Sequence, residues 1–194
     1  MDTPILSDIR VLDNILAVNL NVTLWSARRK LTLEDFGPVD LPPEDLASLG
    51  SKRIAPPESL RIFGTLKARA FALLDRHGIR FLGGWAIPED KATEIVQELT
   101  MIRDEFFACK EVFLAEYDGL VRDWIDRHAA WASILANATV GSDYVRSRLG
   151  FAWQFYKVAP LMGHPDAATM AASGLYEEVE QLGAALFTEI AKFA

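Results

Sequence analysis

Phe81-Leu82-Gly83-Gly84-Trp85-Ala86-Ile87-Pro88-Glu89-Asp90 is the stretch on which the fold turns. Upstream of the proline, Ile79 to Ile87 has the aromatic and branched character of an extended segment, with Gly83-Gly84 in its middle. A glycine pair in that position implies a bulge, a turn with positive φ, or close approach of another backbone. Downstream, Pro88 opens a helical pattern with Glu89 and Asp90 in its first turn, and Arg127 and His128 close it. Proline and acids at the start and bases at the end are what an α-helix and its dipole favour. At 1.5 Å per residue this helix would be on the order of 60 Å long, about twice the width of a small domain, so other elements must lie along it. Its apolar residues recur at Ala92, Ile95, Leu99, Ile102, Phe106, Cys109 and Phe113, then step by one through Tyr117, Leu120 and Trp124. That is a heptad seam with a stutter.

Working outward, a second helix is predicted over 57–77, with Pro57 and Glu58 at its start and Gly78 as the residue past its end. Leu60, Phe63, Leu66, Ala70 and Leu74 form its apolar stripe. The connector to helix 88–127 is short, which makes the two helices antiparallel neighbours. Leu16, Val18, Leu20, Val22 and Leu24 alternate with Ala17, Asn19, Asn21 and Thr23, a strand signal. Phe151, Trp153 and Phe155 alternate in the same way. The predicted fold is therefore α+β and mostly α: an antiparallel helix pair packed with a small antiparallel sheet from residues 16–24, 79–86 and 151–158.

The remaining segments fill in around this frame. Residues 5–15 have one-face helical spacing, and Trp25 to Leu31 reads as a short solvated helix with Trp25 and Leu31 packed inward, in preference to a phosphate or acidic-partner contact through Arg28, Arg29 and Lys30. Five prolines between Gly37 and Pro57 make that region a connector. Within it Leu49 to Ile54 fits a short strand or a structured loop. A short helix ends near Ala136, and Ser142 caps another over 143–149. Beyond a break at Gly163-His164-Pro165, a last helix from about Leu175 places Leu175, Val179, Leu182, Leu186, Ile190 and Phe193 on one side. The chain is expected to be a single domain, 1–194. Residues 175–194 would be a docking or coiled-coil helix continuing in a longer native chain.

Bulk properties narrow the function classes. The 194 residues carry a net charge of −7, with 51% hydrophobic and 24% charged residues, as in ordinary globular proteins. A single cysteine, Cys109, leaves no internal disulfide and no cysteine-rich zinc site. No basic start with an apolar run marks a signal peptide, and the longest apolar stretch, near 129–140, is too short and polar for a bilayer. A cytoplasmic protein without membrane contact is expected. The negative charge argues against wholesale wrapping in nucleic acid. It is uneven, however: Glu89 to Arg127 holds eleven acids and five bases, whereas the part before Glu89 holds eleven bases and ten acids.

No catalytic, cofactor or metal residues stand out. His77, His128 and His164 sit at helix ends or loops, and none lies one helical turn from another histidine or a cysteine. There is no phosphate loop, dinucleotide fingerprint or nucleophile elbow. Glu89-Asp90-Lys91 could belong to a metal-dependent nuclease, but the same letters serve as a helix start. Cys109 falls on the seam and reads as core. Trp85 is either a binding anchor or a filler between sheet and helices.

Three motifs carry a resemblance: Leu49-Gly50-Ser51-Lys52-Arg53-Ile54, then Phe81-Leu82-Gly83-Gly84-Trp85-Ala86-Ile87-Pro88-Glu89, then Tyr144-Val145-Arg146-Ser147-Arg148-Leu149-Gly150-Phe151. With the strand before Trp25-Ser26, they make residues 16 to about 158 resemble a bacterial family known as domain of unknown function 3150. The resemblance implies no known reaction. It implies a gene of conjugative elements, plasmids and phages. Its neighbours would be a MoxR-like or CobS-like AAA+ ATPase, a von Willebrand factor A-type protein and recombination proteins. Family members are usually longer, with more coiled coil towards the carboxyl end.

The expectation is therefore an adaptor or assembly protein without enzymatic activity, engaging an AAA+ ATPase or a second copy through helix surfaces. One alternative is a nucleic-acid-binding accessory, and another is a metal-dependent nuclease. The candidate interaction residues are Gly83, Gly84, Trp85, Arg28, Arg29, Lys30, Lys52, Arg53, Arg146 and Arg148. The seven bases would have to converge on one face.

Overall fold

The computed structural model describes residues 14–32, Asp35 and residues 50–158. Residues 5–13 of the helix expected over 5–15, the helix expected from Leu175, most of the connector, and His164 lie outside the described residues, and Ile15, the last position of the first of these, opens a strand instead. In chain order the elements are strands β1 (Ile15–Thr23), β2 (Arg28–Lys30) and β3 (Ser51–Arg53), helix α1 (Arg61–His77), strands β4 (Ile79–Phe81) and β5 (Gly84–Pro88), helices α2 (Ala92–Arg127), α3 (Ala132–Ala136) and α4 (Ser142–Ser147), and strand β6 (Gly150–Tyr156). Both long helices are entered through a 3₁₀ turn behind a proline, Pro57–Leu60 for α1 and Glu89–Lys91 for α2. The fold is α+β and mostly α, with the long helix packed on a four-stranded antiparallel sheet.

Contacts divide the chain into two compact units, each taking part of α1 and part of α2. The first comprises residues 1–21, 67–103 and 151–194 and holds the sheet, ordered β4-β5-β1-β6. Its core is Val18, Leu20, Ala70, Leu74, Trp85, Ile87, Ile95 and Leu99. A smaller cluster of Ala17, Phe81 and Ala86, with Ile15, Ile79 and Val158 against it, makes β1 buried at consecutive positions 17 and 18. This is why its alternation is less clean than the sequence suggests.

The extended segment predicted over 79–86 is a hairpin of two strands, so the sheet has four strands instead of three. Phe81 pairs with Gly84, and the turn between them is Leu82-Gly83, with φ of 47° and 72°. Positive φ at both central residues is the signature of the tight hairpin turn whose twist matches that of its strands. Gly84 meets a separate constraint. A Cβ there would lie 2.0 Å from the Val18 carbonyl oxygen, because β1 passes that close. Of the three explanations offered for the glycine pair, two hold: a positive-φ turn at Gly83 and close approach of another backbone at Gly84. Gly78 differs from expectation: it has no positive φ and is not a left-handed cap. Its Cβ would meet the Ala86 oxygen at 2.6 Å, so close packing of α1's end on β5 selects glycine.

The second unit comprises residues 22–66 and 104–150. Its core is aromatic: Trp25, Phe63, Phe106, Phe113 and Tyr117 meet in tilted and edge-to-face pairs with centroids 5.1 to 6.4 Å apart. The Tyr117 hydroxyl donates to the Val140 carbonyl at 2.8 Å, which anchors the segment between α3 and α4. Lys110 lies at 8% exposure, one position beyond the predicted seam, and its ammonium donates to the Leu149 carbonyl at 2.7 Å. Burial, then the nearby Arg146 charge, lowers its pKa. The solvated helix predicted at 25–31 is absent. Trp25 is buried and Arg28–Lys30 is strand β2, paired antiparallel with β3. Pairing with β3 overrides the local helical reading, and Ile54 N–H to Ala27 O and Leu31 N–H to Gly50 O extend that pairing at 2.9 and 3.1 Å. Helix α4 ends at Ser147, and its N-cap is Gly141, without a side-chain cap from Ser142.

Candidate nucleic-acid interface on the basic ribbon

The β2–β3 ribbon brings together five of the seven bases singled out in the sequence. Arg28 faces Arg53 and Arg29 faces Lys52, with Lys30 opposite Ser51. Directly opposed residues share a face and neighbours alternate. One face therefore carries Arg28, Lys30 and Arg53, and the other carries Arg29 and Lys52. The first three are all exposed.

The two faces have different surroundings. Lys52 forms a shielded ion pair with Asp35, whose carboxylate also accepts from the Thr32 N–H at 2.8 Å. Those bonds, led by the one from Lys52, hold the Asp35 carboxyl below its ordinary range. Lys52 is thus engaged within the fold. The Arg29 guanidinium lies 5.6 Å from the Tyr144 ring centre, and that of Arg148 lies 5.1 Å from the same ring. Arg148 therefore joins the ribbon through Tyr144. Arg146 does not: it forms an ion pair with Glu111 at 2.6 Å.

Beside Arg53 the surface becomes aromatic. The Trp124 indole N–H donates to the Arg53 carbonyl at 3.0 Å, and the His128 ring lies tilted against Trp124 with centroids 4.2 Å apart. Leu31, Lys52, Arg53, Trp124, His128 and Trp131 are among the residues lining a groove of about 310 Å³, where Trp131 is 56% exposed. Sequence reasoning missed Tyr144, Trp124 and Trp131 as companions of the bases. Trp124 lies 71 positions from Arg53, and no local pattern links them.

Gly83, Gly84 and Trp85 belong to the first unit. Trp85 is 2% exposed and stands edge-on to Phe71 at 5.2 Å, so its surface is taken up inside the fold. Glu89 and Asp90 are exposed where α2 is entered, and Glu89 pairs with Lys157 at 3.0 Å. Neither belongs to a set of three close metal-type donors among the described residues.

No curated protein matches the chain, and no solved structure matches it. Among the described residues no helix is long and apolar enough to cross a membrane. A family model described as "Protein of unknown function (DUF3150)" matches residues 12–194, nearly the whole sequence, and the chain belongs to that family.

Proposed function

We propose that this protein is a nucleic-acid-binding accessory that grips the phosphate backbone through the β2–β3 ribbon. The carrying observation is that both base-on-base pairs of the ribbon, Arg28 with Arg53 and Arg29 with Lys52, set like charges directly opposite. Such pairs destabilise a ribbon, and of these four bases only Lys52 has a carboxylate partner among the described residues. An anionic partner would remove that repulsion. The net charge of −7 does not oppose this reading. Charges farther than about 8 Å are largely screened at physiological ionic strength, so the local cluster sets the potential a phosphate meets. Trp131, exposed beside the bases, suits stacking on an unpaired base and favours single strands over duplex.

Fluorescence anisotropy with a labelled oligonucleotide, single- or double-stranded, tests the proposal across a salt series. Binding should weaken steeply with salt, and Arg28→Ala with Arg53→Ala should lower the log–log slope by about 1 to 2. No binding at low salt, or a slope unchanged in the double variant, overturns it.

A second reading, an adaptor for an AAA+ ATPase or a like subunit, is favoured by a groove of about 760 Å³ in the second unit. Ile62, Cys109, Val112 and Leu120 are among its lining residues, and Val112 is 60% exposed. A helix with an apolar stripe would fit there. Light scattering and pull-down of Val112→Glu against the parent separate the readings, because the ribbon is untouched. On either reading the protein works in the cytoplasm of a cell carrying a mobile element.

A further inference from the structure

The first unit holds a second feature, independent of the ribbon. His77 ends α1, and Glu94 and Glu98 lie one turn apart on α2. One ligand-type atom from each lies within 4.8 Å of the other two. We propose that His77, Glu94 and Glu98 form a binding site for a divalent transition-metal ion, of which Zn²⁺ is the type.

The geometry is close to what such an ion requires. Metal–ligand bonds of about 2.0 to 2.2 Å place neighbouring donors roughly 3 to 3.5 Å apart, so donors within 4.8 Å of one another need to close by up to roughly 1.3 to 1.8 Å. The two glutamates can supply that movement, since Glu94 is exposed and Glu98 only half-buried. The backbones that carry the ligands are held firmly. Leu73 and Leu74 just before His77, and Ile95 and Leu99 between and beyond the glutamates, are buried in the core. Gly78, directly after His77, is pressed against β5 with no room for a side chain. The site therefore joins two anchored elements with adjustable side chains.

The chemistry of the donors selects the ion. One imidazole nitrogen with two carboxylates suits zinc and its first-row neighbours, whereas Ca²⁺ and Mg²⁺ prefer sites made wholly of oxygen. Two glutamates at i and i+4 repel each other, and a cation between them removes that repulsion. The cation already near is Lys91, whose ammonium lies 3.3 Å from the Glu94 carboxylate. Both partners are about half-exposed, so this pair competes weakly with a metal. A bound ion would clamp the end of α1 to the first turns of α2. Three protein ligands leave a further position for water.

Sequence spacing could not reveal this set, because His77 lies 17 positions before Glu94 and on another element. Titration calorimetry of the metal-free full chain with ZnCl₂, and separately MnCl₂, tests the proposal, with Glu98→Gln and His77→Ala as variants. The expected result is one Zn²⁺ per chain, a raised melting temperature, and affinity roughly tenfold lower or worse in each variant. Glu98→Gln keeps the side-chain size, so its effect cannot be put down to misfolding. Failure to bind Zn²⁺, or binding that persists unchanged in Glu98→Gln, overturns the site. Co²⁺ substitution adds a check: an intense thiolate band would place the ion on Cys109 and likewise count against it.

Discussion

The Trp85 indole N–H donates to Asp75 Oδ1 at 2.7 Å, tying the hairpin strand β5 to the last turns of α1. Arg80 completes the arrangement. Its guanidinium bridges to the same Asp75 oxygen at 2.9 Å and lies 4.0 Å from the Trp85 ring centre. A buried tryptophan needs a partner for its N–H, and this one finds it at the edge of the core.

The asymmetry of this triad makes a prediction. Asp75→Ala leaves the buried indole N–H without its acceptor and should cost about 1 to 3 kcal/mol. Arg80→Ala removes an ion pair exposed by half or more on both sides, together with cation–π contacts to Trp85 and Phe71, and should cost about 1 kcal/mol or less. Urea denaturation of the two variants gives the order. Arg80→Ala proving the more harmful would contradict the role assigned to Asp75.

The hairpin turn predicts changes of opposite sign. Leu82 has φ of 47°, a region unfavourable to branched side chains, and is 39% exposed. Leu82→Gly should therefore gain up to about 1 kcal/mol, less whatever packing the leucine contributes. Gly84→Ala drives a methyl into the Val18 carbonyl and should cost several kcal/mol, on the order of the largest single-substitution effects. Thermal melts decide both.

Alkaline stability should show two opposed trends. Burial lowers the Lys110 pKa from its ordinary 10.5, so in the window between the folded value and 10.5 the unfolded chain binds the extra proton. Stability rises with pH across that window. Burial raises the Tyr117 pKa from 10.0, so there the folded chain keeps the proton and stability falls as pH climbs from about 10 through the folded value. Lys110→Met should abolish the rise and keep the fall. Denaturation midpoints from pH 7 to 11 would show it, and an unchanged profile would remove Lys110 as the cause.

Arg28→Glu separates ribbon stability from ribbon function. Opposite Arg53 it converts a repulsive pair into an attractive one and should stabilise the protein by about 0.2 to 1 kcal/mol. The same change should weaken nucleic-acid binding. If stability rose and binding held, the opposed bases would have no anionic partner at this face.

Much of the fold was legible because it rests on periodicity. The residues of the α2 seam from Ile95 to Phe106, then Phe113 and Tyr117, are buried, and β1 and β6 lie where alternation placed them. Lys110, Leu114 and Val121 widen the buried stripe past what a heptad allows, because α2 is covered on more than one side. The bases of the interface were legible as a set, but their pairing was not. Arg28-Arg29-Lys30 has no alternation of its own, and its strand character comes from β3, about twenty residues away.

By itself the amino-acid sequence determined the helix pair, strands β1 and β6, and the need for glycine at Gly83 and Gly84. These follow from side-chain period, proline and glycine geometry, and charge at helix ends, all of which act between near neighbours. Only the tertiary structure decided which constraint each glycine answers, that Trp85 is enclosed, that Arg146 is bound to Glu111 while Arg148 stands with Arg29 at Tyr144, and that His77 meets Glu94 and Glu98. Such meetings depend on how separate elements pack, and Coulomb forces and excluded volume act across that packing irrespective of chain separation.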